Sequence, residues 1–120
     1  MRLSALCLLF AATLAAADVT GTWRGSISTE MARDTSDGQI PAYLVLRQSD
    51  GKVTGSAGGS EKMLFKIRDG KIDGDRLTVE ASPKEGVVLR FDLKVKGDVL
   101  EGSVDENGRV IGTARLKKES

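Results

Sequence analysis

Apolar and polar residues alternate with a period of two along nearly the whole chain after residue 17. The clearest run, residues 87–95, places an apolar side chain at every odd position and the charged residues Arg90, Asp92 and Lys94 at even ones. This alternation is typical of an antiparallel strand with one buried face, whereas no segment repeats convincingly at the helical period of 3.6. The pattern therefore predicts an all-β protein.

Eight such runs follow one another closely. They predict strands at residues 20–28, 40–49, 52–58, 63–73, 75–81, 87–96, 98–104 and 109–117. No connection is long enough for a crossover helix, and eight short strands are a number at which a meander closes into a barrel without edges. We therefore predict an eight-stranded antiparallel up-and-down β-barrel, with a two-sheet β-sandwich as the alternative.

A hexapeptide occurs three times, as DGKVTG at 50–55, DGKIDG at 69–74 and NGRVIG at 107–112. In the first and third copies an Asp-Gly or Asn-Gly pair suits the positive φ angles of a hairpin turn. In the second copy the turn is expected at Gly74-Asp75, with a bulge at Gly70. The repeat is thus predicted to mark hairpins, and it lacks the Gly-Lys-Ser/Thr ending of a phosphate loop.

Alternation also predicts which residues face the barrel interior. They are Trp23, Ile27, Leu44, Leu46, Val53, Phe65, Ile67, Ile72, Leu77, Val79, Leu89, Phe91, Leu93, Leu100, Val104, Val110 and Leu116. Glycines at 25, 55, 102 and 112 share this face, where strands bend or another group comes close. A large empty cavity would cost too much stability, so we expect a mostly filled barrel with space for a small pocket.

The predicted connections alternate in length. Those after strands two, four and six are tight, while those at about 29–39, 59–62, 82–86 and 105–108 are longer and share one end of the barrel. Binding residues concentrate on such loops, so this end is the predicted mouth. Met31, Arg33, Lys62 and Lys84 are the predicted ligand contacts there.

The first 17 residues have the features of a secretory signal. Arg2 provides the positive start, residues 3–14 the apolar core, and Ala15–Ala17 the small residues before the cleavage site. Cleavage is expected before Asp18, which leaves residues 18–120 as a single barrel domain without a membrane span. We therefore expect an exported protein of the periplasm or the extracellular medium, and the sequence leaves its oligomeric state open.

Composition argues against several kinds of chemistry. The chain has no histidine, and its one cysteine, Cys7, lies in the signal segment, which disfavours His- or Cys-based catalysis and zinc sites. Asp69, Asp73 and Asp75 are interpreted as turn acids rather than a calcium site. One of the eighteen basic residues, Arg2, lies in the signal segment, so the remaining seventeen balance the seventeen acidic ones. Aromatic residues are also scarce, so nucleic acid is not an expected partner. We predict no enzyme activity, no metal and no cofactor.

Gly21-Thr22-Trp23 at the start of the first strand resembles the Gly-X-Trp signature of the calycins, the lipocalin and avidin-like barrels. The resemblance implies that a late basic residue, here matched by Arg115, packs across Trp23 at the closed end. The Gly-Thr-Trp opening and the Asp-Gly-Lys hairpins also resemble small exported bacterial barrel proteins of uncharacterised function.

Two functional hypotheses follow. The first is a non-catalytic binding module that takes a small apolar molecule at the mouth. The second is a structural or protein-interaction barrel with a solid core, including a protease-inhibitor-like role, whose partner is an envelope or extracellular protein. An inhibitor of that type uses an N-terminal trunk, and only Asp18–Thr20 precede the predicted barrel.

Overall fold

Eight antiparallel strands form one closed barrel in a computed structural model of the protein, which describes residues 18–29 and 39–119. Each strand pairs with its neighbours in sequence, and the last strand pairs with the first to complete the ring. The strands are β1 Gly21–Ser28, β2 Gln39–Ser49, β3 Lys52–Ser60, β4 Met63–Asp73, β5 Arg76–Lys84, β6 Val87–Lys96, β7 Val99–Glu106 and β8 Arg109–Lys118. The predicted fold class is confirmed, and the barrel replaces the sandwich alternative.

Three strands extend farther than predicted. β3, β5 and β7 end at Ser60, Lys84 and Glu106, which reduces the connections after them to two residues each. The prediction of longer connections after strands three, five and seven is therefore wrong. Glycine, serine and proline near these strand ends suggested loops, but hydrogen bonding to the adjacent strand keeps the segments extended, with register shifts at the ends of β3 and β5.

The turn chemistry follows the repeat. Asp50 and Asn107 have positive φ angles of 56° and 52°, as predicted for the first and third copies. Gly74, with φ of 65°, begins the turn after β4. The bulge lies between Ile67 and Asp69 rather than at Gly70, so this detail of the prediction is corrected.

The interior is apolar throughout the described residues, in which no polar or charged residue is classed as buried. Most of the predicted inner face is buried, and Phe65, Ile72 and Leu89 pack against the core while partly exposed. Val110 is the exception: a register shift between Val104 and Asp105 in the β7–β8 pairing takes it out of the inward alternation, and it is 66% exposed. Tyr43 departs from the pattern in the opposite sense: it lies between the inward-facing Ala42 and Leu44, yet its ring is buried beneath the Arg24 guanidinium, 4.9 Å from the ring centroid.

The closed end, which we call the base, is sealed by residues just before β1. Val19 is fully buried, and its carbonyl accepts a hydrogen bond from Trp23 Nε1 at 3.0 Å. The Val19 N–H donates to Gln48 Oε1, and the Gln48 N–H donates to the Thr20 hydroxyl. The Lys118 ammonium lies 5.8 Å from the centroid of a Trp23 ring. The base is therefore a hydrogen-bonded plug whose largest apolar side chain is Trp23.

Arg115 does not take the position that the calycin resemblance implied. Its side chain is 68% exposed, and its Nε donates to Glu101 at 2.8 Å on the outer surface. The reason is alternation along β8: Ala114 and Leu116 face inward, so the residue between them faces outward. Lys118 is the basic residue over Trp23.

The inward glycines mark close approaches between strands. A Cβ atom at Gly55 would lie 1.9 Å from the Val45 carbonyl oxygen, and one at Gly102 would lie 2.0 Å from that of Asp92. This confirms that the glycines stand where another group must come close. Backbone of the adjacent strand fills the space that their side chains would need, so they do not create the pocket described next.

Candidate functional site: an apolar pocket at the mouth

A small pocket opens at the end of the barrel opposite the base, which we call the mouth. Its volume is about 160 Å³. The lining residues are all apolar or glycine: Ile27, Ile40, Pro41, Ala57, Gly58, Gly59, Phe65, Ala81, Pro83, Leu89 and Phe91. The pocket therefore offers an apolar environment without a polar side chain.

Small residues on two strands leave this space. Ala57 on β3 pairs with Phe65 on β4, and Ala81 on β5 pairs with Leu89 on β6. Ala57 and Ala81 are buried, but each contributes only a methyl group, whereas Val79 and Leu77, the next inward residues of β5 toward the base, carry larger side chains. The interior is therefore filled toward the base, whereas at the mouth two alanines stand among the larger apolar side chains and leave space.

Two of the four predicted ligand contacts, Lys62 and Lys84, are among the described residues. Met31 and Arg33 lie outside the described residues. Lys62, in the β3–β4 turn, and Lys84, at the end of β5, are both exposed at the mouth, and neither lines the pocket. The structure thus places these two lysines near the predicted end of the barrel but outside the apolar lining.

Sequence reasoning placed Ile27, Phe65 and Leu89 on the inner face without assigning them to a binding site. It missed Ala57 and Ala81, whose signal is visible in retrospect as small residues at inward positions of otherwise apolar strands. Such positions become informative once the structure shows that they line the same pocket.

Apolar side chains also continue onto the rim of the mouth. Ile40, Met63 and Val110 are the large apolar side chains classed as exposed among the described residues, and each stands at or next to the first residue of a strand that starts at the mouth. Ile40 lines the pocket and is 37% exposed, and Met63 is 62% exposed. The apolar surface of the pocket is therefore continued outward by Ile40.

Asn107 connects two turns of the mouth. Its side-chain Oδ1 accepts from the Val88 N–H at 2.8 Å, its backbone N–H donates to the Val88 carbonyl at 2.9 Å, and its Nδ2 donates to the Gly86 carbonyl at 3.0 Å. Together these bonds hold the β7–β8 turn against the β5–β6 turn. Leu89, one residue beyond Val88, lines the pocket, so Asn107 supports that wall.

We expect Asn107→Ala to lower the free energy of unfolding by about 2 kcal/mol. The change removes two side-chain hydrogen bonds, each contributing roughly 1 kcal/mol or less at an exposed site, and forces alanine into a left-handed conformation that costs about 1–2 kcal/mol. Urea denaturation followed by circular dichroism measures the loss. Asn107→Gly is the matched control, because it keeps the conformation available but lacks the side chain, and it should lose only about half as much. Equal stability of Asn107→Ala and the wild type would contradict this role.

The strand carboxyl groups whose pKa departs from its ordinary value lie on the outer wall of the barrel, away from the pocket. The Arg76 guanidinium donates to both carboxylate oxygens of Asp92 at 2.9 and 2.6 Å, which holds the pKa of Asp92 below its ordinary value. Lys96 and Arg115 similarly lower the pKa of Glu101. These are exposed ion pairs, so we attribute little stability to them.

Among the described residues, no group of three His, Cys, Asp or Glu side chains is arranged to hold a metal ion. The same part of the chain has no helix long and apolar enough to cross a membrane.

Comparison with known proteins bears on the fold. No family model matches the chain, and no curated protein matches it. Among solved structures, the barrel is similar to the crystal structure of a secretary abundant heat soluble (SAHS) protein from Ramazzottius varieornatus, with a TM-score of 0.53 and 14% sequence identity. The similarity covers 88% of this chain and 98% of that one. It supports the closed eight-stranded barrel, and at this identity it shows the fold alone.

Proposed function

We propose that residues 18–120 form an exported, non-catalytic binding module that takes a small apolar molecule, or the apolar part of a larger one, in the mouth pocket. The observation that carries the proposal is the pocket itself: a space of about 160 Å³, bounded by apolar side chains and glycine, at one end of an otherwise filled barrel. Apolar pockets at the mouths of β-barrels are frequent ligand sites. The likeness to the SAHS barrel is consistent with this proposal through the fold.

The energetics favour occupation of the pocket. An enclosed empty cavity of this volume costs about 4 kcal/mol at roughly 24 cal/mol per Å³. The opening toward the mouth makes this an upper bound. A ligand that excludes water from Phe65, Leu89 and Phe91 would recover part of that cost through apolar burial.

The apolar lining also supports a binding role over a catalytic one. Proton transfer and nucleophilic attack need an ionisable or nucleophilic side chain at the reacting atoms. The pocket instead presents aliphatic and aromatic carbon to whatever enters it.

Filling the pocket tests the proposal. We expect Ala81→Leu to occupy the space and weaken binding of an apolar probe at least tenfold, with the melting temperature unchanged or raised. Isothermal titration calorimetry with benzene or a short alkanol measures the affinity; a cavity of about 150 Å³ is known to accept benzene. Calorimetry is preferable to tryptophan fluorescence, because Trp23 lies at the base.

Thr78→Leu is the matched control. Thr78 faces outward on the same strand, so this change adds similar apolar bulk without entering the pocket. If the wild type binds the probe and both Ala81→Leu and Thr78→Leu bind it equally well, the ligand lies elsewhere. If the wild type binds none of the probes, the proposal is contradicted.

Export has an independent test. The proposal expects the protein purified from its exporting host to begin at Asp18, and N-terminal sequencing or intact mass would establish this. A chain that retains residues 1–17 in the exported fraction would contradict the processing step.

The arrangement of the base bears on the protease-inhibitor alternative. An N-terminal trunk must be free to enter a protease cleft, whereas Val19 is fully buried and hydrogen-bonded to both Gln48 and Trp23. The residues next to β1 are therefore committed to sealing the barrel.

A further inference from the structure

We infer that the mouth pocket takes only the apolar end of its ligand, a group of about six carbon atoms that enters tail-first, while the polar head stays outside at the rim. This inference rests on the proposed function and specifies the class of ligand: a single-chain or single-ring amphiphile whose head group contributes little to recognition.

The volume sets the size of the inserted group. At about 160 Å³ the pocket is close to the 150 Å³ cavity that accepts one benzene molecule, and well below the roughly 300–1,000 Å³ of pockets that enclose whole drug-sized ligands. Phe91 and Ala57, both buried, bound the pocket on the inner side, and the next inward residues toward the base, Val79 on β5 and Leu93 on β6, are buried as well. Filled core therefore blocks deeper entry, and a longer chain has to extend outward.

The chemistry of the walls sets the orientation. A polar head group placed among Ile27, Phe65 and Leu89 would lose its hydrogen bonds to water and gain none from a side chain. Burial of an unpaired polar group is unfavourable, and that of an unpaired charge far more so. The hydrocarbon end has no such penalty, so it is the end that enters.

The rim explains where the rest of the chain lies. Ile40 continues the pocket wall to the surface, and Met63, nearby at the mouth, exposes a flexible thioether side chain suited to chains of different shape. Methylene groups beyond the pocket would lie against a partly hydrated surface, where each contributes less than a fully buried one. Beyond the rim the head group meets solvent and the exposed Lys62 and Lys84.

Two measurable consequences follow. Affinity should rise about fourfold for each methylene group until the pocket is full, near six carbon atoms, and more slowly afterwards. Head groups of opposite charge should bind within about threefold of each other, because exposed lysines interact weakly with a solvated charge.

Titration calorimetry with three series of n-alkyl ligands, from four to twelve carbons and below their aggregation limits, tests both consequences. The head groups are carboxylate, trimethylammonium and glucoside, and the protein is the full mature chain. A break in slope near six carbons in all three series is the expected result. Affinity that rises equally steeply through twelve carbons, or carboxylates that bind more than tenfold tighter than ammonium ligands, would overturn the inference while leaving apolar binding intact. No binding in any series would overturn the proposed function as well.

Two variants should move the break in opposite directions. Leu89→Ala enlarges the pocket, and we expect the break in slope to shift to longer chains. Ala81→Leu reduces the pocket, and we expect the break to shift to shorter chains. Lys84→Gln is the matched control at the rim and should change alkanoate affinity less than twofold. Because Leu89→Ala also removes packing, its folding is checked by its melting temperature; if it does not fold, Ala81→Leu alone decides, and a break that stays near six carbons in that variant would overturn the inference.

Discussion

Trp23→Ala is expected to lower the free energy of unfolding by about 3–5 kcal/mol, the range for deleting a large buried aromatic side chain. Trp23 is 1% exposed, and its ring fills the base of the barrel between Val19 and Lys118. The change also removes the donor to the buried Val19 carbonyl. A domain of this size has about 5–15 kcal/mol in total, so the change should remove a large share of the stability and lower the urea midpoint accordingly. Urea denaturation followed by far-ultraviolet circular dichroism is the suitable measurement, because the variant has no tryptophan.

Trp23→Phe is the matched control, since it keeps an aromatic ring and loses only the indole N–H and part of the volume. It should lose roughly 1–3 kcal/mol. If Trp23→Ala remained within 1 kcal/mol of the wild type, the base would not depend on this side chain and the description of a sealed plug would be wrong.

Gly55→Ala should have the second-largest effect, a loss of about 3 kcal/mol or more. Gly55 has a φ of 135°, which side chains of L-residues rarely adopt, and a Cβ there would lie 1.9 Å from the Val45 carbonyl oxygen. Backbone strain contributes about 1–3 kcal/mol and the forced separation of β2 from β3 a similar amount. Chemical denaturation measures the effect.

Gly51→Ala is the comparison. Gly51 lies in the adjacent turn, and the nearest heavy atom to its added methyl group would be the Ile72 carbonyl oxygen at an ordinary 3.5 Å. This variant should change stability by roughly 1 kcal/mol or less. Similar losses in the two variants would mean that composition, rather than the close approach at Gly55, determines the cost.

The regular parts of the fold could be predicted because alternation reports burial directly. In the run at 87–95 one face of the strand packs against the core, and burial of its residues alternates as the period of two predicts. Asp50 and Asn107 likewise indicate turns in the sequence, since few other residues tolerate positive φ. These signals are local, so a single sequence contains them.

The misjudged features depend on pairing between distant strands. The segment 58–60 is rich in glycine and serine and suggested a loop, but pairing with β4 holds it in the sheet. Arg115 seemed suited to cover Trp23, yet the closing register pairs Trp23 with Lys118 and leaves Arg115 on the outside. The pocket shares this origin, because Ala57 and Ala81 leave a common space only when the pairing of β3, β4 and β5 brings them to the same pocket.

The closure of β8 on β1 has a consequence for how the chain folds. The two strands that complete the ring are at opposite ends of the domain, and the Arg24–Glu119 ion pair joins residues 95 positions apart. Contacts of such large sequence separation raise the contact order, which slows folding. A chain that leaves the ribosome with its N-terminus first cannot complete the barrel until its last strand has been synthesised. The topology therefore delays formation of the native barrel until the whole domain is present. Until then the chain is still unfolded enough to pass through a narrow pore.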